Sequence, residues 1–307
     1  MSQITLLDGG LGQEIYNRAR KTEPHSLWSV MIMQNEPEVV IEVHKEFIAA
    51  WARVISLNNY TATPTRFGRF EMWALFETVH SQAVDCVNLA IDSSDISRQD
   101  IDIAGCLPPL SASYVAAAAH GYERSFDEYC AVIEQQKDHV DLFLIETISN
   151  ITEARAAVDA VKHYGFAPHI GLTVEDDATN RLRSGEPLAD ALSALTEAGA
   201  ATLMVNCSYP EAVTEALPAL QRTGLRFGGY ANGFTSIEAL APGTSVEGLT
   251  ARTDLGPEAY GGYVQSWLNA GATVVGGCCE IGPDHIRHMN KLITQSGNTA
   301  VKLSQLA

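Results

Sequence analysis

The chain is predicted to fold as a single-domain α/β protein, a (β/α)8 TIM barrel, and three observations carry that expectation. Short runs rich in Val, Ile, Leu and Phe alternate eight times with longer amphipathic segments, the signature of repeated βα units. The 307 residues, 46% of them hydrophobic, suffice for one large core, and no linker-like stretch divides them. Residues with chemical potential fall at the C-terminal ends of the strand candidates, which share one face in a closed barrel. The barrel is assigned to residues 1–295, and 296–307 is read as a C-terminal tail.

The eight strands are expected at 4–7, 53–58, 101–105, 142–146, 169–174, 202–206, 225–230 and 273–276. Helices are expected from Pro37, inside a first turn after Asn35, from Asn150 and from Pro283. Another is marked by Trp73, Phe76, His80, Val84, Val87 and Ile91 at spacings of three and four. Ser208-Tyr209-Pro210-Glu211 reads as a capping box, which would set Cys207 just before a positive helix end that favours thiolate.

A formal charge of −17 excludes nucleic acid and anionic membrane as partners, since both reward basic patches. The first residues run straight into a strand candidate with no basic or long apolar leader, and no apolar stretch approaches about 18 residues, so the chain is expected to be cytoplasmic. A homo-oligomer is compatible with the sequence, which locates no interface.

Six cysteines are present, and in a reducing compartment they serve as core fillers, metal ligands or nucleophiles more often than as disulfides. Cys86, Cys106 and Cys130 read as buried packing. Cys278 and Cys279 are adjacent after Gly276-Gly277, a poor disulfide pair, and Cys207 ends the sixth strand candidate. Three thiolates from two strand ends can fill three corners of a zinc tetrahedron and leave the fourth for a substrate. The long gap between Cys207 and Cys278 does not suit a zinc finger, whose ligands come in local pairs. No H-x-x-x-H or H-E-x-x-H pair occurs among the histidines, which leaves a histidine metal site without support.

After the first strand, Asp8-Gly9-Gly10-Leu11-Gly12 has glycines for a tight turn but not the spacing of a dinucleotide fingerprint. It reads as a carboxylate-binding turn, or as a turn needed only for chain reversal.

Six stretches together resemble the homocysteine S-methyltransferases, the group containing betaine–homocysteine methyltransferase, the S-methylmethionine-dependent enzymes and the homocysteine domain of cobalamin-dependent methionine synthase. They are Asp8-Gly9-Gly10-Leu11-Gly12; Leu27-Trp28-Ser29 followed by Pro37-Glu38; Asn59-Tyr60-Thr61-Ala62-Thr63-Pro64; Ile145-Glu146-Thr147-Ile148; Val205-Asn206-Cys207-Ser208; and Gly276-Gly277-Cys278-Cys279 followed by Pro283. The resemblance covers most of the chain and implies a barrel in which Cys207, Cys278 and Cys279 hold Zn2+. It also implies that Glu146 binds the homocysteine ammonium with Asp8 assisting, and that the Gly9-Gly10 turn offers donors to its carboxylate. Trp28 and Tyr60 match aromatic positions that face a cationic methyl donor, and Asn232 matches a residue that caps the zinc when substrate is absent.

The implied reaction makes methionine from homocysteine and a small methylated donor, S-methylmethionine or a similar sulfonium ahead of betaine. A corrinoid donor would need a partner protein. Two other readings stand beside it: methyl transfer to another thiol or selenol, and a noncatalytic zinc and thiol redox sensor. Three departures from the family pattern bear on the site. Ala231 stands where many relatives have proline, Trp51-Ala52 replaces a glycine-containing turn, and Glu280 follows the cysteine pair where a small residue is frequent. The long segment 232–257 is expected over the barrel mouth, where donor choice would reside.

Overall fold

Parallel strands dominate because each βα unit returns the chain to the same end of the sheet. The computed structural model describes residues 2–20, 25–237 and 249–306. Its strands are β1 (Gln3–Leu6), β2 (Val54–Ser56), β3 (Asp102–Leu107), β4 (Leu142–Ile148), β5 (Pro168–Leu172), β6 (Thr202–Asn206), β7 (Arg226–Tyr230), β8 (Val274–Val275) and β9 (Thr299–Val301). They pair in the order β2-β3-β4-β5-β6-β7-β8-β1-β9. A parallel bridge between Leu7 and Val54 brings β1 back to β2, with Arg53 N donating to Leu6 O at 2.8 Å and Asp8 N to Val54 O at 3.1 Å. The eight expected strands are therefore present and form a barrel, with ends that lie within about two residues of the expected bounds, β3 and β4 running longer and β2 and β8 shorter.

The helices are α1 (Leu11–Arg18), α2 (Trp28–Asn35), α3 (Pro37–Ala49), α4 (Pro64–Arg69), α5 (Phe76–Asp92), α6 (Tyr122–Gln136), α7 (Ile151–His163), α8 (Leu188–Ala198), α9 (Pro210–Gln221), α10 (Pro257–Asn269) and α11 (Pro283–Gln295). Asn150 caps α7 as its sequence implies, its side chain accepting from Glu153 N at 2.8 Å. Among the described residues no helix is long and apolar enough to cross a membrane.

Two local expectations are corrected. Ser208 does not cap α9: its Oγ accepts from Val174 N at 2.9 Å and donates to Val174 O at 3.1 Å, while Glu211 pairs with Arg252 at 2.9 Å. A neighbouring strand end offers the hydroxyl a buried backbone partner, and that outweighs a half-solvated helix terminus. Trp73 does not join the buried stripe of α5 either; it lies in a 3-10 turn, Trp73–Leu75, and is 55% exposed.

Two cores result from closure. Leu7, Val54, Ala104, Leu142, Leu144, Met204, Tyr230 and Val274 fill the barrel interior, and a larger shell packs between strands and helices. Leu303, 1% exposed, joins the interior group. The chain reaches it because β9 pairs beside β1, Gln3 opposite Thr299, and carries residues 303–306 under the barrel. Asp102, at the start of β3 and 0% exposed, secures that segment: it accepts from Ser304 N at 2.8 Å and Ser304 Oγ at 2.7 Å, with Lys302 Nζ at 3.7 Å.

Replacing Asp102 by alanine leaves a part-buried N–H and a largely buried ammonium without their acceptor. Stability to urea should fall by about 2–4 kcal/mol. Deleting 299–307 should cause a comparable loss, and Asp102→Ala in the deleted chain should add little; full additivity of the two changes would refute the coupling.

Candidate functional site

The mouth at the C-terminal ends of the strands opens into a cavity of about 220 Å3, lined by Asp8, Gly9, Gly10, Trp28, Tyr60, Glu146, Cys207, Cys278 and Cys279 among others. Nine of the ten residues singled out from sequence thus share one wall. Asn232 does not reach it. Its side chain is fully buried behind the wall, with Oδ1 accepting from Phe234 N at 3.1 Å and Nδ2 without a partner, and it is Phe234 that faces the cavity.

Cys207, Cys278 and Cys279 bring their sulfurs within 4.8 Å of one another. About 2.3 Å from a tetrahedral zinc, three sulfurs would sit about 3.8 Å apart, so the donor set suits such an ion and is gathered closely enough to supply it once all three sulfurs are free. The structure joins Cys207 to Cys278 in a disulfide, with 5.6 Å between Cα atoms. This departs from the expectation of three free thiolates. The same approach that gathers sulfurs for a metal also satisfies the reach of a disulfide, and only the reduced pair could serve as ligands. Burial, with Glu280 adding to it, pushes the Cys279 thiol up to about 12. Tyr114, unmarked by any sequence signal, donates its hydroxyl to Cys207 Sγ at 3.1 Å. The Arg183 guanidinium lies 5.2 Å from its ring centre.

Glycine is demanded at 9 and 10 by packing. A Cβ on Gly9 would overlap the Ile281 carbonyl, and one on Gly10 would come within 2.6 Å of Cys278 O. Gly10 N already donates to Ile281 O at 2.9 Å, and both glycines line the cavity. Asp8 accepts from Ser56 N at 2.8 Å and Ser56 Oγ at 3.2 Å.

Glu146 owes its aim to an irregular strand end. The register of β4 against β5 shifts between Ile145 and Ile148, and Thr147 has φ 61°, in the left-handed region that a β-branched residue avoids. Asn206 compensates by clamping Thr147 twice, accepting from its N–H and donating to its Oγ1, both at 2.9 Å. The Glu146 carboxylate accepts from Cys106 Sγ at 3.3 Å and Tyr230 OH at 3.4 Å. Cys106, read from sequence as packing alone, is buried but lines the cavity. No spacing rule links it to Glu146, since the contact arises only when β3 and β4 pair.

Burial raises Glu146 from 4.5 to about 7. Asp8 also rises to about 7, chiefly through burial and in part through repulsion from Glu146. Two buried carboxyls in one small cavity make a site that a cation would relieve. Glu280 is tied down by Gln13 Nε2 at 2.8 Å. Trp51, at the departure from the family's glycine turn, has φ 77° and stacks under Arg53, whose guanidinium lies 4.2 Å from its ring centre. Part of segment 232–257 is described: Phe234 bridges Ala251 in antiparallel fashion. Positions 238–248 lie outside the described residues.

Fold and site together define a parallel α/β barrel whose C-terminal mouth combines clustered cysteine sulfurs, buried carboxyls and aromatic rings. The chain belongs to the homocysteine S-methyltransferase family, whose model matches residues 5–293. It is 28% identical over 303 residues to the homocysteine S-methyltransferase of Escherichia coli, covering 92% of this chain and 93% of that one. It is 27% identical over 316 residues to homocysteine S-methyltransferase YbgG of Bacillus subtilis, covering 93% of each. Among solved structures, the metallated form of the homocysteine methyltransferase MmuM from Escherichia coli superposes with a TM-score of 0.77 at 24% identity. That match covers 94% of this chain and 96% of the other.

Because the folded Glu146 carboxyl stays protonated longer than the unfolded one, its stabilisation is complete below about pH 4.5 and is lost as pH rises through 7. Ligand-free wild type should therefore melt lower at pH 8 than at pH 5, by up to about 3 kcal/mol from this group. Glu146→Gln should flatten that part of the profile, and equal slopes for the two proteins would refute the assignment. Asn206→Ala should release the Thr147 turn and lower the melting temperature by several degrees, about 1–3 kcal/mol, with ligand affinity falling alongside.

Proposed function

We propose that the chain transfers a methyl group from a small onium donor to the sulfur of L-homocysteine, yielding methionine. The observation that carries this reading is the convergence of Cys207, Cys278 and Cys279 on the cavity that also holds Asp8 and Glu146. In its reduced form the three-sulfur set would hold Zn2+, which as a Lewis acid would supply the low thiol pKa and the deprotonated acceptor sulfur that methyl transfer needs at neutral pH.

The chain's own residues bind and orient. Glu146 and Asp8, both held near neutrality by burial, take the homocysteine ammonium, whose charge draws both carboxyls into their ionised form. The Gly9 N–H is directed to its carboxylate. Trp28, braced edge-on by Tyr16 at 5.6 Å between ring centres, and Tyr60, whose hydroxyl is hydrogen-bonded to Ser113 at 2.9 Å, offer their faces to the onium group. Asn232 acts from behind the wall by fixing Phe234.

In the transfer the acceptor sulfur gives an electron pair to the methyl carbon as the donor's own bond to that carbon breaks. The freed pair stays on the departing thioether, or on a tertiary amine if the donor is a betaine. The thiol proton has already left to solvent, and the acceptor becomes a neutral thioether. A sulfonium such as S-methylmethionine is the leading donor because a thioether is the better leaving group.

Reduced protein should retain about one zinc per chain, and Cys278→Ala should lose both zinc and methionine formation. Retention of zinc by that variant would overturn the ligand set. Glu146→Gln should raise the homocysteine KM at least tenfold with zinc content unchanged, and an unaltered KM would remove Glu146 from this role. A donor panel read by the mass of methionine tests the reaction itself. The Cys207–Cys278 disulfide favours one second reading, a redox sensor that loses metal on oxidation. Absence of methionine from every donor, with a change of partner on oxidation, would decide for it.

A further inference from the structure

A second cleft opens at the opposite end of the barrel, and nothing in the methyl transfer uses it. It holds about 310 Å3 and is lined by Trp51, Arg53, Asp95, Asp100, Lys302 and Gln305 among others. These residues precede β2 and β3 or follow β9, so they surround the N-terminal ends of the strands, away from the mouth. Trp51 is the odd member. It takes φ 77°, a left-handed conformation that a bulky residue avoids, at the place where the sequence departs from a glycine-containing turn. Its side chain is nonetheless 47% exposed, with the Arg53 guanidinium 4.2 Å from the ring centre. The fold thus holds a strained tryptophan out toward solvent.

Arg53 is only 5% exposed. Its Nη1 donates to Ala52 O at 3.1 Å, and among the described residues the guanidinium makes no further hydrogen bond and has no carboxylate within ion-pair distance. The Nε of Arg66, on α4, is likewise without a partner but is sealed from solvent; the remaining nitrogens of Arg53 are not, and the residue lines the cleft. A buried cation left uncompensated is costly. Burial lowers the Arg53 pKa from the ordinary arginine value, with the charge of Asp100 acting against that fall. Asp95 and Asp100 are exposed, and no described cation stands within ion-pair distance of either. Arg98, close to both in sequence, is taken by Asp141 at 2.8 Å, and Lys302 Nζ is drawn to the buried Asp102 at 3.7 Å. One cleft therefore presents a guanidinium and two carboxylates that do not meet, with the Trp51 ring, Ile96 and Val301 as apolar surface beside them.

We infer that this cleft binds a free amino acid in its zwitterionic form, one with an apolar side chain. Its carboxylate sits on the Arg53 fork, its ammonium faces Asp95 and Asp100, and its side chain covers Trp51. A simple anion would complete Arg53 but meet two carboxylates, and a simple cation would satisfy the carboxylates but meet the guanidinium. A ligand carrying both charges relieves both sides at once. The guanidinium suits its half of the task, because its planar fork matches two carboxylate oxygens. The flat indole suits the other, since it offers a large apolar face that is already held in place. The site is independent of the reaction at the mouth. Under the proposed function the catalytic cavity also takes an amino acid, and the two sites are told apart by their tryptophans, Trp28 lining one and Trp51 the other.

The indole N–H magnetic resonance signals of the isotopically labelled, reduced full chain supply the test, since there are four tryptophans and Trp51→Phe identifies the Trp51 signal. The probes are L-norleucine; hexanoate, which lacks only its ammonium; and pentylamine, which lacks only its carboxylate. Norleucine should move the Trp51 signal saturably at millimolar concentration, and each truncated probe should bind about tenfold more weakly or worse, the loss of one charged contact. Arg53→Gln should abolish the Trp51 response to norleucine while leaving any Trp28 response as in wild type. Asp95→Asn combined with Asp100→Asn, both at the surface, should weaken norleucine and leave hexanoate no weaker, which keeps the test decisive if Arg53→Gln does not fold. No Trp51 shift with norleucine, equal binding of either truncated probe, or a response confined to Trp28 would each overturn the site. Methionine formation is not measured, so failure here leaves the methyltransferase reading untouched.

Discussion

The site depends on two backbone turns that touch with no side chain between them. The turn after β1 and the turn after β8 exchange hydrogen bonds, Gly10 N to Ile281 O at 2.9 Å and Gly277 N to Asp8 O at 3.0 Å. Only glycine permits this approach, since a Cβ at Gly9 or Gly10 would run into the carbonyls of Ile281 or Cys278. The contact draws the first and eighth strand ends together and sets Asp8 beside the cysteine pair. Cys278 N continues the chain of bonds to Ala231 O at 3.0 Å, and Gly233 N to Cys279 O at 2.9 Å, so the end of β7 is fixed by the same turn. Glycine-rich signatures flank the thiols because main chain, not side chain, packs there.

Strain gathers at the same rim. Thr147, Cys207, Glu280 and Tyr114 all have positive φ, at 61°, 50°, 65° and 64°. Each adjoins or supplies a group that faces the cavity. Three are visibly held from outside: Thr147 by Asn206, Cys207 by its N–H bond to Tyr230 O at 3.1 Å, and Glu280 by Gln13. The regular strands around them are what lets a few strained residues persist. Buried ionisable groups line the same wall. Asp8, Glu146 and Arg66 are all uncomfortable in the ligand-free protein, so binding and stability oppose one another at this wall.

Much of this was legible in the chain. The eight strands could be read because each is a short apolar run bounded by polar residues and glycine, and the barrel topology then placed their C-terminal ends on one face. Other features were not. Strand β9 is a three-residue segment, 299–301, with no apolar pattern of its own, and it exists because Asp102 and the barrel floor capture residues 302–304 immediately beyond it. The role of Ser208 was misread because a local capping signal competes with a partner 34 residues away. Tyr114, Cys106 and Arg66 sit in loops, strands or helices where tyrosine, cysteine and arginine are ordinary, and only neighbours distant in sequence give them meaning.

What the sequence determined by itself was periodicity and residue type: the βα alternation, the glycine turn, the three cysteines and their family pattern. These are local properties, carried by spacing along the chain. Tertiary structure decided which groups meet: that Cys207 and Cys278 come within disulfide reach, that Cys106 and Tyr230 bond to Glu146, that Asn232 stands behind the wall, and that Arg66 is buried with an unpaired Nε. All of these result from closing the barrel. Closure brings strand ends tens of residues apart into van der Waals contact, and burial there sets the charge state of every group it encloses.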